Sequence, residues 1–186
     1  LQDQTSYIGQ RQINENSSSL LFKHNAMHIE LCFDQTSAIA SQDESGLSDV
    51  QLESALTTIM DCEDSVAAVD AQDKIIAYKN WLGLIKGDLS ETITKNGKSF
   101  TRQMNNDKKY TDIQGNSATV SGRSLMFVRN VGHLMTNSMI LDQNGSEVPE
   151  GIVDAMVTSL IASMDTQGKY QGNNSKERSI YIVKPK

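Results

Sequence analysis

The clearest alternation of apolar and polar positions runs through Met27-His-Ile-Glu-Leu-Cys-Phe33, with Met27, Ile29, Leu31 and Phe33 on one side and His28, Glu30 and Cys32 on the other. A period of two predicts a half-buried strand, apolar set inward. It puts His28 on the other face, as a structural or exposed side chain rather than a catalytic one. Before it, residues 1–25 are polar and rich in Gln, Asn and Ser, and only Ser17 to Phe22 reads as an edge strand. Ala38 to Gly46 reads as a loop leading to Ser48, which with Gln51 forms a capping box for a helix marked by Leu52, Ala55, Leu56 and Ile59. That helix delivers the chain into a short β-favouring run, Thr57 to Met60. The run stops at three carboxylates, Asp61, Glu63 and Asp64.

A helical period follows, with Ile75, Tyr78, Leu82 and Ile85 at three- and four-residue intervals and Gly87 as the stop. Trp81, beside this stripe, reads as core or interface. Asp88 to Ser124 is charged and broken by the turns Asn96-Gly97, Asn105-Asn-Asp107 and Gly115-Asn116, a hairpin-rich excursion with strands around Ser99–Met104, Lys108–Ile113 and Ser117–Val120. Leu125-Met-Phe-Val128 is fully apolar, as in strands buried on both faces of a parallel sheet. After an Asn144-Gly145 turn, Pro149 and Glu150 open a helix carrying Val153, Met156, Val157, Leu160 and Met164. Thr166 to Arg178 is polar loop, and Ser179 to Val183 a third buried strand.

Without the excursion the order is strand, helix, strand, helix, strand, which predicts parallel βαβ units. Polar groups follow each strand at the same end: Asp61 and Glu63, then Arg129, then Lys184. Barrels and open parallel sheets build their sites there. Acids as dense as Asp61-Cys-Glu-Asp64 repel one another unless a cation or strong donors sit among them. They therefore point to a metal or a polarised substrate; the competing reading is a solvated loop in which Asp64 or Ser65 caps the next helix.

Composition narrows the classes. With 17 basic and 23 acidic residues in 186, the net charge is -6 and no basic stripe with interleaved aromatics is present, which argues against nucleic acid. Cys32 and Cys62 lack CxxC spacing, so neither a disulfide framework nor a zinc site is indicated, and a reducing, cytoplasmic compartment is expected. No apolar run reaches the ~18 residues of a membrane span, and no signal segment opens the chain. The start at Leu1 and the end in Ile180-Tyr-Ile-Val-Lys-Pro-Lys186 read as those of an excised piece.

The segments Met60 to Asp70, Asn80-Trp-Leu-Gly-Leu84 with Lys86-Gly-Asp-Leu89, Gly122 to Asn137, Val148-Pro-Glu-Gly-Ile152 and Tyr181 to Lys186 resemble the malate synthase family in its long G form. The resemblance is strong from Met27 onward and weak over residues 1–25. It implies a fold class of α/β, with segments of a TIM (β/α)8 barrel and an inserted, hairpin-rich α+β domain. On it, 1–55 and 87–124 belong to the inserted domain, 56–86 to a barrel strand and helix, and 125–186 to a barrel strand-helix-strand.

The family condenses acetyl-CoA with glyoxylate and hydrolyses the thioester to malate and CoA, using Mg2+. Carried over by position, Arg129 matches the catalytic arginine that contacts glyoxylate. Asp61 and Glu63 match outer-shell acids beside the magnesium, and Ser65, Lys95 and Arg102 match acetyl-CoA contacts. The resemblance puts the direct magnesium carboxylates and the general base beyond Lys186, so the chain alone is expected to be inactive and its parent a monomer. Exposed strand edges could let copies of the piece pair. Two alternatives stay open: a segment of another magnesium-dependent CoA-thioester lyase barrel, or a non-catalytic structural or binding module.

Overall fold

The computed structural model describes residues 6–53, 57–63, 68–170 and 174–185. In chain order the strands are β1 (Tyr7–Gln12), β2 (Ser17–His24), β3 (Met27–Asp34), β4 (Leu47–Leu52) and β5 (Thr57–Asp61), after which comes helix α1 (Ala71–Lys86). Then follow β6 (Ser90–Lys95), β7 (Lys98–Gln103), β8 (Lys108–Thr111), β9 (Ser117–Val120), β10 (Leu125–Arg129), β11 (Thr136–Leu141) and β12 (Glu147–Pro149). Helix α2 (Glu150–Thr166) and strand β13 (Ile182–Val183) complete the order. The chain divides into two compact units, Leu1–Leu56 with Asn106–Arg123, and Thr57–Asn105 with Ser124–Lys186.

The first unit is a six-stranded sheet in the order β4-β3-β2-β1-β8-β9, every pair antiparallel. β3 forms where its alternation predicts, but the better-buried side is the one carrying Glu30, not the apolar set. Glu30 can be buried because its carboxylate accepts from Ser19 Oγ at 2.7 Å, Arg11 Nη2 at 3.2 Å and Lys108 Nζ at 2.6 Å. Burial alone would raise its pKa; the bonds from Lys108, Ser19 and Tyr110 outweigh it and hold the group below the usual value. His28 is structural in form, its Nδ1 2.5 Å from Glu53 Oε2.

Residues 47–52 correct the sequence expectation. They form strand β4, not the start of a helix, pairing with β3 from Phe33↔Leu47 to Ile29↔Leu52. Ser48, expected as a helix cap, donates to the Cys32 carbonyl at 2.9 Å. A ladder along an open sheet edge satisfies the backbone over six residues, which a single capping box does not match. The predicted continuation through Ala55 and Leu56 lies outside the described residues.

The second unit holds a parallel sheet in the order β13-β10-β5, with α1 following β5 and α2 following β10 in sequence. This is the strand-helix alternation expected of the barrel segments. Asp70 caps α1 by accepting from the N–H groups of Gln72 at 2.8 Å and Asp73 at 2.9 Å. Gly87 ends it at φ 81°, a left-handed conformation that glycine adopts without strain. The core joins Cys62, Tyr78, Trp81, Ile85, Val128, Val153, Ile161 and Ala162. Trp81 is buried there, its Nε1 donating to the Thr158 carbonyl at 3.1 Å.

The β6–β7 hairpin falls in the second compact unit, where a Cβ on Gly83 would lie 3.1 Å from Leu89. Of the apolar residues that helix α2 carries, Val153 is buried while Ile152, Met156 and Leu160 are exposed, and Glu150, Asp154, Thr158 and Asp165 are buried with Ile161 and Ala162. Polar residues with partners on α1 and the strand ends fix the helix rotation, overriding its apolar content. Strand β10 is buried fully only at Val128, and β13 spans two residues of the predicted five. No helix among the described residues is long and apolar enough to cross a membrane.

Candidate functional site

Because β5 and β10 run parallel in register, their last residues, Asp61 and Arg129, lie side by side at the carboxyl edge of the sheet. The ladder continues one residue further, the Cys62 N–H donating to the Arg129 carbonyl at 2.8 Å. Arg129 Nε donates to Asp61 Oδ1 at 3.0 Å, and Nη2 pairs with Oδ2 of the same carboxylate. Nε also lies 3.4 Å from Glu63 Oε2, and the Glu63 N–H donates to Asp61 Oδ1 at 2.8 Å. The hydrogen bond from Arg129 is the main reason that the Asp61 carboxyl is held below its ordinary pKa. A bidentate pair fixes the plane of the guanidinium as well as its position.

The side chains of Arg129, Asp61 and Glu63 are 39%, 33% and 29% exposed, so this cluster faces solvent rather than the core. Cys62, set between the two acids, points the other way. Its thiol is buried and pushed up to about 12 by that burial, which leaves it a packing group and no nucleophile. Such an arrangement can do one thing well: present a fixed, delocalised cation to an oxygen on which negative charge sits or develops.

Beneath the cluster lies a buried network that the apolar stripes did not reveal. Lys74, fully buried on the first turn of α1, lies 2.5 Å from Glu150 Oε1 and 3.2 Å from Asp154 Oδ1. Its Nζ donates to the Cys62 carbonyl at 2.8 Å. Asp154 also accepts from Tyr78 Oη at 2.6 Å and from the Val131 N–H at 2.8 Å. Burial works against the Lys74 ammonium, but Glu150 and Asp154 prevail and raise its pKa. The available signal was polar periodicity: Glu150, Asp154 and Thr158 recur every fourth residue through the first half of α2, whose other residues there are Gly or apolar, and Lys74 stands four residues before Tyr78.

The other expected residues fall as follows. Arg102, on β7, lines a groove of about 790 Å³ that also touches Met60, Asp61, Ile76, Asn80 and Leu84. Lys95 is exposed at the end of β6 beside the turn, apart from that lining. Ser65 and Asp64 lie outside the described residues. Lys184 follows β13, its Nζ donating to the Val131 carbonyl at 2.7 Å. Among the described residues no group of three or more His, Cys, Asp or Glu side chains could hold a metal ion. The carboxylates of Asp61 and Glu63 are both engaged with Arg129.

Comparison with known proteins bears on the same strand ends. Residues 125–186 match the family model described as malate synthase, TIM barrel domain. Over all 186 residues the chain is 52% identical to malate synthase G of Halalkalibacterium halodurans and 48% identical to those of Corynebacterium efficiens and Corynebacterium glutamicum. It spans 26% of the first relative's length and 25% of the other two, about a quarter in each case.

Proposed function

We infer that this chain, similar to malate synthase G from end to end, is a segment of a malate synthase. In our reading the full-length protein condenses acetyl-CoA with glyoxylate and hydrolyses the thioester to malate and CoA. The observation that carries it is Arg129 at the carboxyl end of a parallel barrel strand, clamped by Asp61 and Glu63. Glyoxylate offers a carboxylate and an aldehyde oxygen, and the aldehyde oxygen gains charge as the new carbon–carbon bond forms. A guanidinium held in place before the reaction can stabilise that charge with little reorganisation.

Arg102 and the groove that runs from it to Asp61 suit the acetyl-CoA side of the reaction, with Ser65 and Lys95 proposed as further contacts. Asp61 and Glu63 would act as outer-shell acids, orienting Arg129 and accepting hydrogen bonds from water held by a Mg2+ ion whose direct ligands we place elsewhere in the full-length enzyme. The inserted and barrel portions keep the boundaries that the resemblance implies. We assign the protein to the cytoplasm, on its free Cys32 and Cys62, and the parent to the monomeric state. The 186-residue chain alone is expected to form no malate.

The test is thiol release from acetyl-CoA by the full-length protein with and without glyoxylate. Release that requires glyoxylate, with malate as product, supports the reading. Thiol release independent of glyoxylate, or none at all, overturns it.

A further inference from the structure

We propose that Lys74 and Asp154 are positioning residues that hold the two main-chain segments bearing the reactive groups, so that Arg129 and the Asp61/Glu63 pair converge on one point. The role in catalysis rests on the function proposed above; the structural coupling does not. Lys74 and Asp154 are fully buried and Glu150 nearly so, which gathers one cation and two carboxylates in the interior of a small α/β unit. If stability were the only outcome, apolar residues of similar volume would serve as well or better, because desolvating three charges is costly. What the charges do that apolar groups cannot is bind main-chain atoms directionally.

Those atoms are not arbitrary. Lys74 Nζ takes the carbonyl of Cys62, the residue between Asp61 and Glu63, whose N–H is already bonded to the Arg129 carbonyl. Asp154 Oδ2 takes the N–H of Val131, two residues beyond Arg129, while Lys184 Nζ takes the Val131 carbonyl. Lys74 and Asp154 are themselves in contact, so the chain beyond β5 and the chain beyond β10 are braced against one buried ion pair. Tyr78 secures the second Asp154 oxygen, and Glu150 the remaining side of the ammonium. Helices α1 and α2 thus set the spacing of the two strand ends through side chains that do not reach the cluster itself.

The test uses the full-length enzyme with Lys74→Met, Asp154→Leu and Asp154→Asn, and with Trp81→Phe as a control. The control loses the Trp81–Thr158 bond in the same helix pair, a bond made to a helix carbonyl and not to the main chain of a strand end. Per folded molecule, Lys74→Met and Asp154→Leu should lower kcat/KM for glyoxylate by about 10- to 100-fold, with a raised glyoxylate KM and an unchanged acetyl-CoA KM. Asp154→Asn can still accept from Val131 and should recover part of the loss. Trp81→Phe should lower the unfolding midpoint without moving either KM.

Amide hydrogen exchange supplies a readout free of activity. The Val131 amide should exchange faster in Asp154→Leu, and Cys62 faster in Lys74→Met, but neither in Trp81→Phe. Variants that change only the unfolding midpoint, leaving glyoxylate kinetics and both amides as in the parent, overturn the proposal. If Asp154→Leu does not fold, Asp154→Asn and Lys74→Met decide by the same criteria. If the unsubstituted enzyme shows no glyoxylate-dependent thiol release, the functional reading fails while the amide exchange still decides whether the brace exists.

Discussion

Replacing Arg129 by lysine in the full-length enzyme separates a catalytic arginine from a structural one. Lysine keeps the positive charge and can still reach Asp61, but it loses the planar fork that bonds both Asp61 oxygens and approaches Glu63. The stability effect follows from exposure. With the three side chains 39%, 33% and 29% exposed, water screens the pair, and the change should cost under about 1 kcal/mol. The catalytic effect should be much larger, because removing one preorganised donor from a developing oxyanion typically costs about 10²- to 10³-fold in kcat. The two are measured side by side, as kcat/KM for glyoxylate from thiol release and as the urea midpoint at constant m. A variant that keeps kcat/KM within about tenfold of the parent would refute the reasoning, since Arg129 would then be a surface ion-pair residue.

Other consequences follow from the same contacts. Tyr78→Phe removes the donor 2.6 Å from Asp154 while leaving Lys74 on the same oxygen, so equilibrium urea unfolding should show a loss of about 1.5–2 kcal/mol, the lower part of the range for bonds to charged groups. Gly87→Ala forces a Cβ into a left-handed conformation at φ 81° and should cost about 1 kcal/mol by the same measurement, with no change in glyoxylate KM. Stability should fall in acid. The Asp61 pKa is lowered in the folded state, so the Arg129 pair contributes fully above the ordinary carboxylate value and is lost as pH drops through the lowered one; Glu30 behaves alike. Urea midpoints taken from about pH 6 down to about pH 2.5, below the ordinary carboxylate range, should decline less steeply for Asp61→Asn than for the parent. An identical slope would show that Asp61 has the same pKa folded and unfolded.

Local order was legible where a run of residues depends mainly on its own period and caps. Helix α1, the β10 strand, the β8–β9 hairpin and the opening of α2 at Glu150 stand where Ile75 to Gly87, Leu125 to Val128, the Gly115-Asn116 turn and Pro149 put them. Polar groups after β5, β10 and β13 were equally legible, and parallel pairing brings Asp61 and Arg129 into one row. The family resemblance, read from the run through Arg129, agrees with relatives 48–52% identical over the whole chain.

What the tertiary structure decided is which neighbours each segment meets. Leu47–Leu52 carries a good capping box and becomes a strand, because a long-range ladder to β3 satisfies more backbone than the local cap. Glu30 turns inward because Arg11, Ser19 and Lys108 come from three other strands to meet it. Met156 and Leu160 stay exposed because Glu150 and Asp154 are anchored to Lys74 and so fix the rotation of α2. Periodicity measures apolar content along one element; burial of a charge depends on partners 76 to 80 residues away in sequence. Sequence alone decides helices α1 and α2, strand β10, the β8–β9 hairpin and the end of the sheet where the chemistry gathers, whereas the brace beneath Asp61 and Arg129 exists only once two helices and two strand ends have met.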